Sequence, residues 1–309
     1  MEFKHVPVML NECLDGLALK NNGIYADGTL GGAGHSLEIL KRTKKAKLIG
    51  IDRDADALAV CKDRLEEYKS RVTLVHDNFK NIKNILEQLN ISEIDGMLVD
   101  LGVSSYQLDN ADRGFSFRYN AKLDMRMNQE QKLSAYDVVN SYSQEQLKNV
   151  IKDYGEEKFA ASIARHICQE RELKPIETTG ELKEIILKSV PRYKGNDGSS
   201  NVQRTFQAIR IEVNAELTDL AEFIKDAVSC LKPGGRLVIL TFHSLEDRIV
   251  KHTYRDLATN CICPPDFPIC VCNHKAQGKL IGKHSVATKE EIKLNSRSAS
   301  AKLRILEKI

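Results

Sequence analysis

Residues 24–36, IYADGTLGGAGHS, decide the fold. The apolar, β-prone start Ile24-Tyr25-Ala26 runs into an acid, Asp27. A turn carrying Gly28, Gly31, Gly32 and Gly34 follows, and then the helix-compatible run SLEILKR from Ser36 to Arg42. A strand that feeds a glycine loop and then a helix leaves bare backbone N–H groups at a helix N-terminus, where a ligand can approach closely. The next run, KLIGI from Lys47 to Ile51, reads as a second strand and ends at Asp52, 18 positions beyond Gly34. An acid at the tip of the second strand, about 20 residues after the loop, is placed to accept hydrogen bonds from a ribose diol. The pair of elements points to a nucleoside-containing cofactor on a Rossmann-like α/β core.

The strict dinucleotide pattern G-x-G-x-x-G is absent from GTLGGAGHS, which disfavours a pyrophosphate-binding dehydrogenase. A loop opened by an acid and spaced Asp-Gly-x-x-Gly-Gly-x-Gly suits a ligand carrying an ammonium, and S-adenosylmethionine is such a ligand. The plainer reading, an ordinary tight turn in some α/β protein, is weakened by the acid at the second strand tip.

Composition sets wider bounds. The 309 residues suffice for two domains or one large one, and 42% hydrophobic with 29% charged residues is ordinary for a globular protein. A net charge of +3 neither requires nor forbids a nucleic-acid partner. The densest basic run, KRTKKAK at 41–47, reads as a solvated helix end. No apolar stretch approaches the roughly 20 residues of a membrane span, and MEFKHVPVML lacks the features of a secretory leader. Four of the eight cysteines (Cys13, Cys61, Cys168, Cys230) stand singly, which argues against a disulfide framework. The expectation is a reduced, cytoplasmic protein.

Alternation along the chain predicts strands at 24–26, 48–51, 72–75 and 96–101, separated by helices at 36–42, 55–67 and 81–89. This is the pattern of a parallel sheet with crossover helices. From about Gln107 to Asn201 the alternation stops, and helical patterns appear at 143–154, 156–170 and 179–190, with a polar loop KGNDGSSN at 194–201. Residues 204–231 read as one long helix stopped by Lys232-Pro233-Gly234-Gly235. A strand at 236–242, a helix at 245–257 and a last strand at 300–306 then return to the sheet. The expected domains are residues 1–106 with 202–309 and a helical insert over 107–201.

Ligands of doubly wound sheets lie beyond the carboxyl ends of the strands. Four successive tips carry polar groups: the Asp27–Gly34 loop, Asp52, Asp77-Asn78-Phe79, and Asp100 with its DLGVSS extension. Phe79 is placed either to stack on an adenine or simply to cap the core.

The motifs GTLGGAGHS, IDRD, DLGVSSYQLD, ADRGFSF, LDMRM, RTFQAIRIEVN and FHSLEDRIVK resemble those of the MraW/RsmH family, the 16S ribosomal RNA cytidine N4-methyltransferases. The resemblance runs from about His5 to Arg304. It implies an α/β class I methyltransferase (Rossmann-like) doubly wound sheet with an inserted helical domain for substrate recognition. It also implies S-adenosyl-L-methionine contacts at Ala33, Gly34, His35, Asp52, Phe79, Asp100 and Gln107. The implied substrate is a cytidine in the decoding region of 16S rRNA, within the small ribosomal subunit or its precursor. The oligomeric state stays open, a homodimer included.

The N4 amine of cytosine is a poor nucleophile because its lone pair is delocalised into the ring. Acceptors for its hydrogens and alignment with the methyl donor therefore carry the catalysis. Many amino-methyltransferases place an Asp/Asn-Pro-Pro-aromatic motif at the fourth strand tip, where this chain has DLGVSS. Asp100 and Ser104 are the first catalytic candidates. His243 and Asp247 are either assistants from the neighbouring tip or a helix cap and a structural pair. Arg113, Arg118, Arg126 and Arg204 are candidates for RNA phosphates or for intramolecular ion pairs. The run CICPPDFPICVC holds Cys261, Cys263, Cys270 and Cys272 as paired C-x-C units, either a closed zinc site or a loop of reduced thiols. The competing functions are methyl transfer to a protein or small molecule, and a non-catalytic RNA-binding assembly factor.

Overall fold

The structure, a computed structural model, describes residues 7–191, 197–261, 263, 269, 271–272 and 274–309. Its first part runs α1 (Leu10–Leu17), β1 (Ile24–Asp27), α2 (Gly34–Arg42), β2 (Lys47–Asp52), α3 (Ala55–Arg64), β3 (Val72–His76), α4 (Ile82–Gln88) and β4 (Ile94–Asp100). Six helices follow: α5 (Ser105–Asp109), α6 (Ala135–Ser141), α7 (Gln144–Gly155), α8 (Ala160–Leu173), α9 (Thr179–Ser189) and α10 (Ser199–Asn214). The chain then gives α11 (Leu220–Ser229), β5 (Leu231–Thr241), α12 (Ser244–Leu257), β6 (Gly278–Leu280), β7 (Ser285–Val286), α13 (Lys289–Leu294) and β8 (Lys302–Lys308). Two compact units result, one of residues 1–102 with 219–309 and one of residues 103–218.

The first unit is a single sheet in the order β3-β2-β1-β4-β5-β8-β6, with β7 also paired to β8. Strands β1 to β5 are mutually parallel, while β8 runs antiparallel to β5, β6 and β7. The strands are apolar almost throughout because both faces are covered. Met97, Val99, Leu237 and Ile239 pack with Ile82 and Ile85 of α4, Phe223 of α11 and Tyr254 of α12. Their alternates Leu98, Val238 and Leu240 face Leu14 of α1, Ile39 of α2 and Cys61 of α3. The second unit has its own core, built from Phe115, Leu147, Ile163, Ile186, Phe206 and Ile209. Capping boxes at Ser134, Ser143 and Thr178 start three of its helices.

The expected helix over 204–231 is two helices. Ala215, which caps α10, and Asp219, which caps α11, both adopt left-handed backbone with φ of 47° and 58°. Asn214, the last residue of α10, is anchored by tertiary bonds. Its Nδ2 donates to the Met125 carbonyl at 2.7 Å, and its Oδ1 accepts from the Met127 N–H at 2.8 Å. Helix α10 therefore packs in the helical core through Val202, Phe206, Ile209 and Val213. The break between the units accordingly falls at 102/103 and 218/219 instead of the expected 106/107 and 201/202.

The expected stop at Lys232–Gly235 is an irregularity inside the sheet. Ile94 pairs with Leu231 and Gly96 with Arg236, so residues 232–235 bulge opposite Asp95. Asp95, 6% exposed, accepts from Lys20 Nζ at 3.1 Å, Lys232 Nζ at 2.8 Å and the Ile24 N–H at 3.0 Å. Burial would raise its pKa, but these partners hold it below the ordinary carboxylate value. Such a group contributes stability above its unfolded pKa, and that contribution is lost as pH falls through the depressed folded value. Asp95→Ala is therefore expected to lower stability by about 2–4 kcal/mol, because it leaves a buried N–H and two cations unpaired. Lys20→Ala and Lys232→Ala, at solvated ends, cost about 1 kcal/mol or less. Thermal unfolding of the three variants at neutral pH checks the ranking, and acid titration should show the smallest pH dependence for Asp95→Ala.

Candidate active site

The strand order reverses between β1 and β4, so the crevice of this sheet opens where Asp27 and Asp100 end those strands. The loop leaving β1 is fixed from three sides. Gly28 N–H donates to the Leu98 carbonyl at 2.8 Å, and the Leu30 N–H donates to the Ile51 carbonyl at 3.1 Å. Asp52 accepts from the Gly31 N–H at 2.8 Å and from the Asp54 N–H at 2.9 Å. From α3, Cys61 Sγ and Arg64 Nη1 donate to the carbonyls of Gly31 and Gly32. A Cβ at Gly28 would lie 3.0 Å from both Met97 Cε and Phe79 Cβ, and one at Gly34 would lie 2.3 Å from Pro7 Cγ. Close approach demands glycine at Gly34 and crowds any side chain at Gly28. Ala33 takes left-handed backbone, φ 55°, to turn the chain into α2.

Four carboxyl groups, Asp27, Asp52, Asp100 and Glu246, share this end of the sheet. Asp27 is buried, its Oδ2 accepting from Ser36 Oγ at 2.6 Å and its Oδ1 from the Thr29 N–H at 3.1 Å. Thr29 also ties the two strand tips together, since its Oγ1 accepts from the Asp100 N–H at 2.6 Å. Asp100 Oδ1 is buried with no hydrogen-bond partner among the described residues. Burial above all, then the charges of Asp27 and Glu246, push the Asp100 carboxyl up to about 8. Glu246 is buried and accepts from the N–H groups of Phe242 and His243 at 2.9 and 3.4 Å. Among the described residues no lysine or arginine pairs with Asp27 or Asp100. A buried acid pair without a cation, one oxygen of it orphaned, fits a ligand that brings positive charge of its own. Asp52 is pushed up to about 6 by burial, against the two N–H bonds it accepts. Each of its oxygens holds one backbone bond and keeps a lone pair for a hydroxyl.

The other expected contacts fall as follows. Gly34 and His35 open α2, so their backbone N–H groups stand at the helix N-terminus. The His35 side chain points away into the core, with Nε2 3.0 Å from the Val8 carbonyl, and burial lowers its pKa to about 4. Only its backbone N–H stands at the loop. Phe79 is a core residue, edge-to-face on Phe223 with ring centroids 4.7 Å apart. It walls the loop at Gly28. A surface hollow of about 300 Å³ lies beside it, lined by Asn78, Lys80, Asn81, Asp219, Glu222, Phe223 and Asp226, and none of the four strand-end acids lines it.

His243 follows β5 and caps α12. Its side chain is buried, with Nε2 3.1 Å from Glu246 Oε1 but at an angle that makes no hydrogen bond, and Nδ1 has no partner among the described residues. Asp247 is a structural pair. It accepts from Arg304 Nε at 2.6 Å and Lys302 Nζ at 3.0 Å, and these two outweigh burial to hold its pKa low. Ser104 and Gln107 belong to the helical unit, where they form a reciprocal capping box at the start of α5. The sequence missed Glu246 as a site acid. Its only signal is the His-x-x-Glu spacing of a cap.

Of the four arginines offered to RNA, three have intramolecular partners. Arg113 is buried and donates to the carbonyls of Arg126 and Met127. Arg126 is bidentate on Asp124, and Arg204 pairs with the buried Glu157. Arg118 is the exposed one.

A parallel sheet closed by an antiparallel strand inserted at β8, with an acid-lined crevice at its reversal point, is the architecture of the class I methyltransferases, whose methyl donor is S-adenosyl-L-methionine. The model of the MraW methylase family matches residues 2–309, and the chain belongs to that family. It is 56% identical over 311 residues to a Clostridium botulinum (strain Kyoto / Type A2) protein called ribosomal RNA small subunit methyltransferase H, with 100% of each chain covered. A protein of the same name from Finegoldia magna is 53% identical over 311 residues, again with 100% of each covered. A solved rRNA methylase from Streptococcus thermophilus is similar at a TM-score of 0.41 and 12% identity, over 99% of both chains.

The raised Asp100 has a measurable consequence. Between its ordinary value of 3.8 and about 8, the folded chain holds a proton that the unfolded chain has released. The stability of the ligand-free chain therefore falls as pH rises through that window. Asp100→Asn should remove much of this fall, raising the ligand-free melting temperature at pH 8. It should also weaken S-adenosyl-L-methionine roughly 10–100-fold, the loss of a charge-assisted contact. Calorimetric titration in buffers of different ionisation enthalpy should find proton release on binding for the wild type, and less for Asp100→Asn. Asp247→Asn should do the reverse, costing about 1–3 kcal/mol of stability with cofactor affinity intact.

Proposed function

We propose that this chain transfers a methyl group from S-adenosyl-L-methionine to the N4 amine of a cytidine in the decoding region of 16S ribosomal RNA. The observation that carries the reading is the orphaned, buried Asp100 Oδ1 at the reversal point of a methyltransferase sheet. The name of the full-length relatives supports small-subunit rRNA as the substrate class.

In this reading the backbone of Ala33, Gly34 and His35 holds the amino-acid end of the cofactor, and Asp52 holds its ribose hydroxyls. Phe79 supplies an apolar wall. The cofactor supplies an electrophilic methyl group on a sulfonium. Asp100 gives up its proton once a cation faces it and, as a carboxylate, accepts a hydrogen of the cytosine amine. That polarises the N–H bond and frees the nitrogen lone pair for the methyl carbon. Ser104 stands as the second candidate acceptor for the amine and Gln107 as a cofactor contact, the two capping α5 reciprocally. His243 offers a buried, unpartnered Nδ1 as the next stop for the released proton.

A base inside folded RNA must be extruded to reach such a crevice. The helical unit is the surface assigned to the RNA, with Arg118 as its first phosphate contact. In this reading the partner is 16S rRNA within the small subunit or its precursor, and the protein works in the cytoplasm. No helix among the described residues is long and apolar enough to cross a membrane. Neither the fold nor the relatives speaks for a homodimer.

The test is transfer of tritiated methyl groups to small subunits lacking the modification, followed by nucleoside mass spectrometry. N4-methylated cytidine from the wild type, with Asp100→Ala at least 100-fold slower, is the expected result. Arg118→Ala should raise KM for the subunit by severalfold and leave kcat unchanged. Cofactor binding without labelled RNA would replace the proposal by an assembly factor, and label in protein by a protein methylase.

A further inference from the structure

One sequence motif is absorbed by neither the sheet nor the acid crevice. Between the end of α12 at Leu257 and the start of β6 at Gly278, the chain leaves the sheet and returns to it. The base of the excursion is stitched by the Gln277 N–H to the Leu257 carbonyl at 2.8 Å and the Ala276 N–H to Asn260 Oδ1 at 3.3 Å. Above that base the described apolar side chains do not make a core: Ile269 and Val271 are 74% and 65% exposed. What converges instead is sulfur. The Sγ atoms of Cys261, Cys263 and Cys272 all lie within 4.8 Å of one another, and those of Cys261 and Cys272 are 3.8 Å apart. The Val271 N–H donates to Cys263 Sγ at 3.4 Å.

These distances are informative. A disulfide needs sulfurs about 2.05 Å apart, so 3.8 Å is not a bond. A tetrahedron with zinc–sulfur distances of about 2.3 Å has edges of about 3.8 Å. A backbone N–H on a ligand sulfur is the second-shell contact that steadies a thiolate. Three thiolates this close without a cation would repel one another, whereas a divalent soft-ligand metal resolves the charge.

We propose that Cys261, Cys263 and Cys272 bind one Zn²⁺, a structural site that fastens the loop between α12 and β6. Cys270, the other cysteine of the second C-x-C unit in the sequence, lies outside the described residues. Each thiol loses its proton to solvent on binding, so zinc uptake weakens as pH falls. No electron transfer is involved. Because the cluster lies outside the methyl-transfer residues, the site stands or falls independently of the proposed activity.

The experiment is metal analysis of the full-length chain purified under reducing conditions with zinc present. The expected result is about one zinc per chain. Cys261→Ser, Cys263→Ser and Cys272→Ser should each lower it at least tenfold, and Cys168→Ser and Cys230→Ser should leave it unchanged. The wild-type chain reconstituted with Co²⁺ should show a thiolate-to-cobalt charge-transfer band, a readout independent of variant folding. A chain free of zinc after exposure to it, with all these thiols open to a thiol reagent, would overturn the proposal. So would iron with acid-labile sulfide, or a disulfide within the motif found by mass spectrometry.

Discussion

The burial of two acids at adjoining strand tips is the constraint around which the rest of the sheet unit is arranged. Asp27 ends β1 and Asp100 ends β4, and Thr29 joins them, its N–H bonded to Asp27 Oδ1 and its Oγ1 to the Asp100 N–H. Removing carboxylates from water is unfavourable, and nothing in the described chain brings a cation to either one. Asp27 is satisfied by hydroxyl and backbone donors, but Asp100 keeps an orphaned oxygen and a pKa near 8. The sheet thus holds a site that is complete only with positive charge in it. In the proposed reading a positively charged sulfonium cofactor meets that need, and the same charge makes Asp100 the acceptor that holds the amine.

The loop before α2 depends on the same corner. Asp52 reaches from the tip of β2 to fix Gly31, and Cys61 and Arg64 hold the adjacent carbonyls, so the glycines are immobilised by contacts from three elements. Asp95 performs the analogous task at the other end of β4, where it offsets a four-residue bulge in β5 with two lysines and a backbone donor. Each end of β4 therefore carries one acid with opposite electrostatics. Asp95 is surrounded by donors and its pKa is depressed; Asp100 lacks them and its pKa is raised. The first acid stabilises the fold and the second is costly to it, which is the usual division between structural and functional charges.

The helical unit has its own apolar core and its own caps, and its arginines are largely spent on holding that core's loops together. Arg126 closes the turn of residues 124–131 through Asp124 and the carbonyls of Gln129 and Gln131, and Arg113 is buried beneath Phe115. Motifs such as ADRGFSF and LDMRM are thus built into the scaffold.

What the sequence by itself determined follows from local rules. Strand–glycine loop–helix, an acid at the next strand tip, and alternating apolar runs place β1 to β4 and their helices within a few residues, because periodicity and turn chemistry are local properties of the chain. The acid positions Asp27, Asp52 and Asp100 were legible for the same reason. What only the tertiary structure decided depends on groups far apart in sequence. The helix over 204–231 breaks just after Asn214, which is tied to Met125 and Met127, and the His35 side chain turns to Val8. Asp247 becomes a structural pair through Arg304, and Glu246 joins the site by raising Asp100. Long-range hydrogen bonds and desolvation set each of these outcomes, and neither leaves a mark on the local pattern of residues.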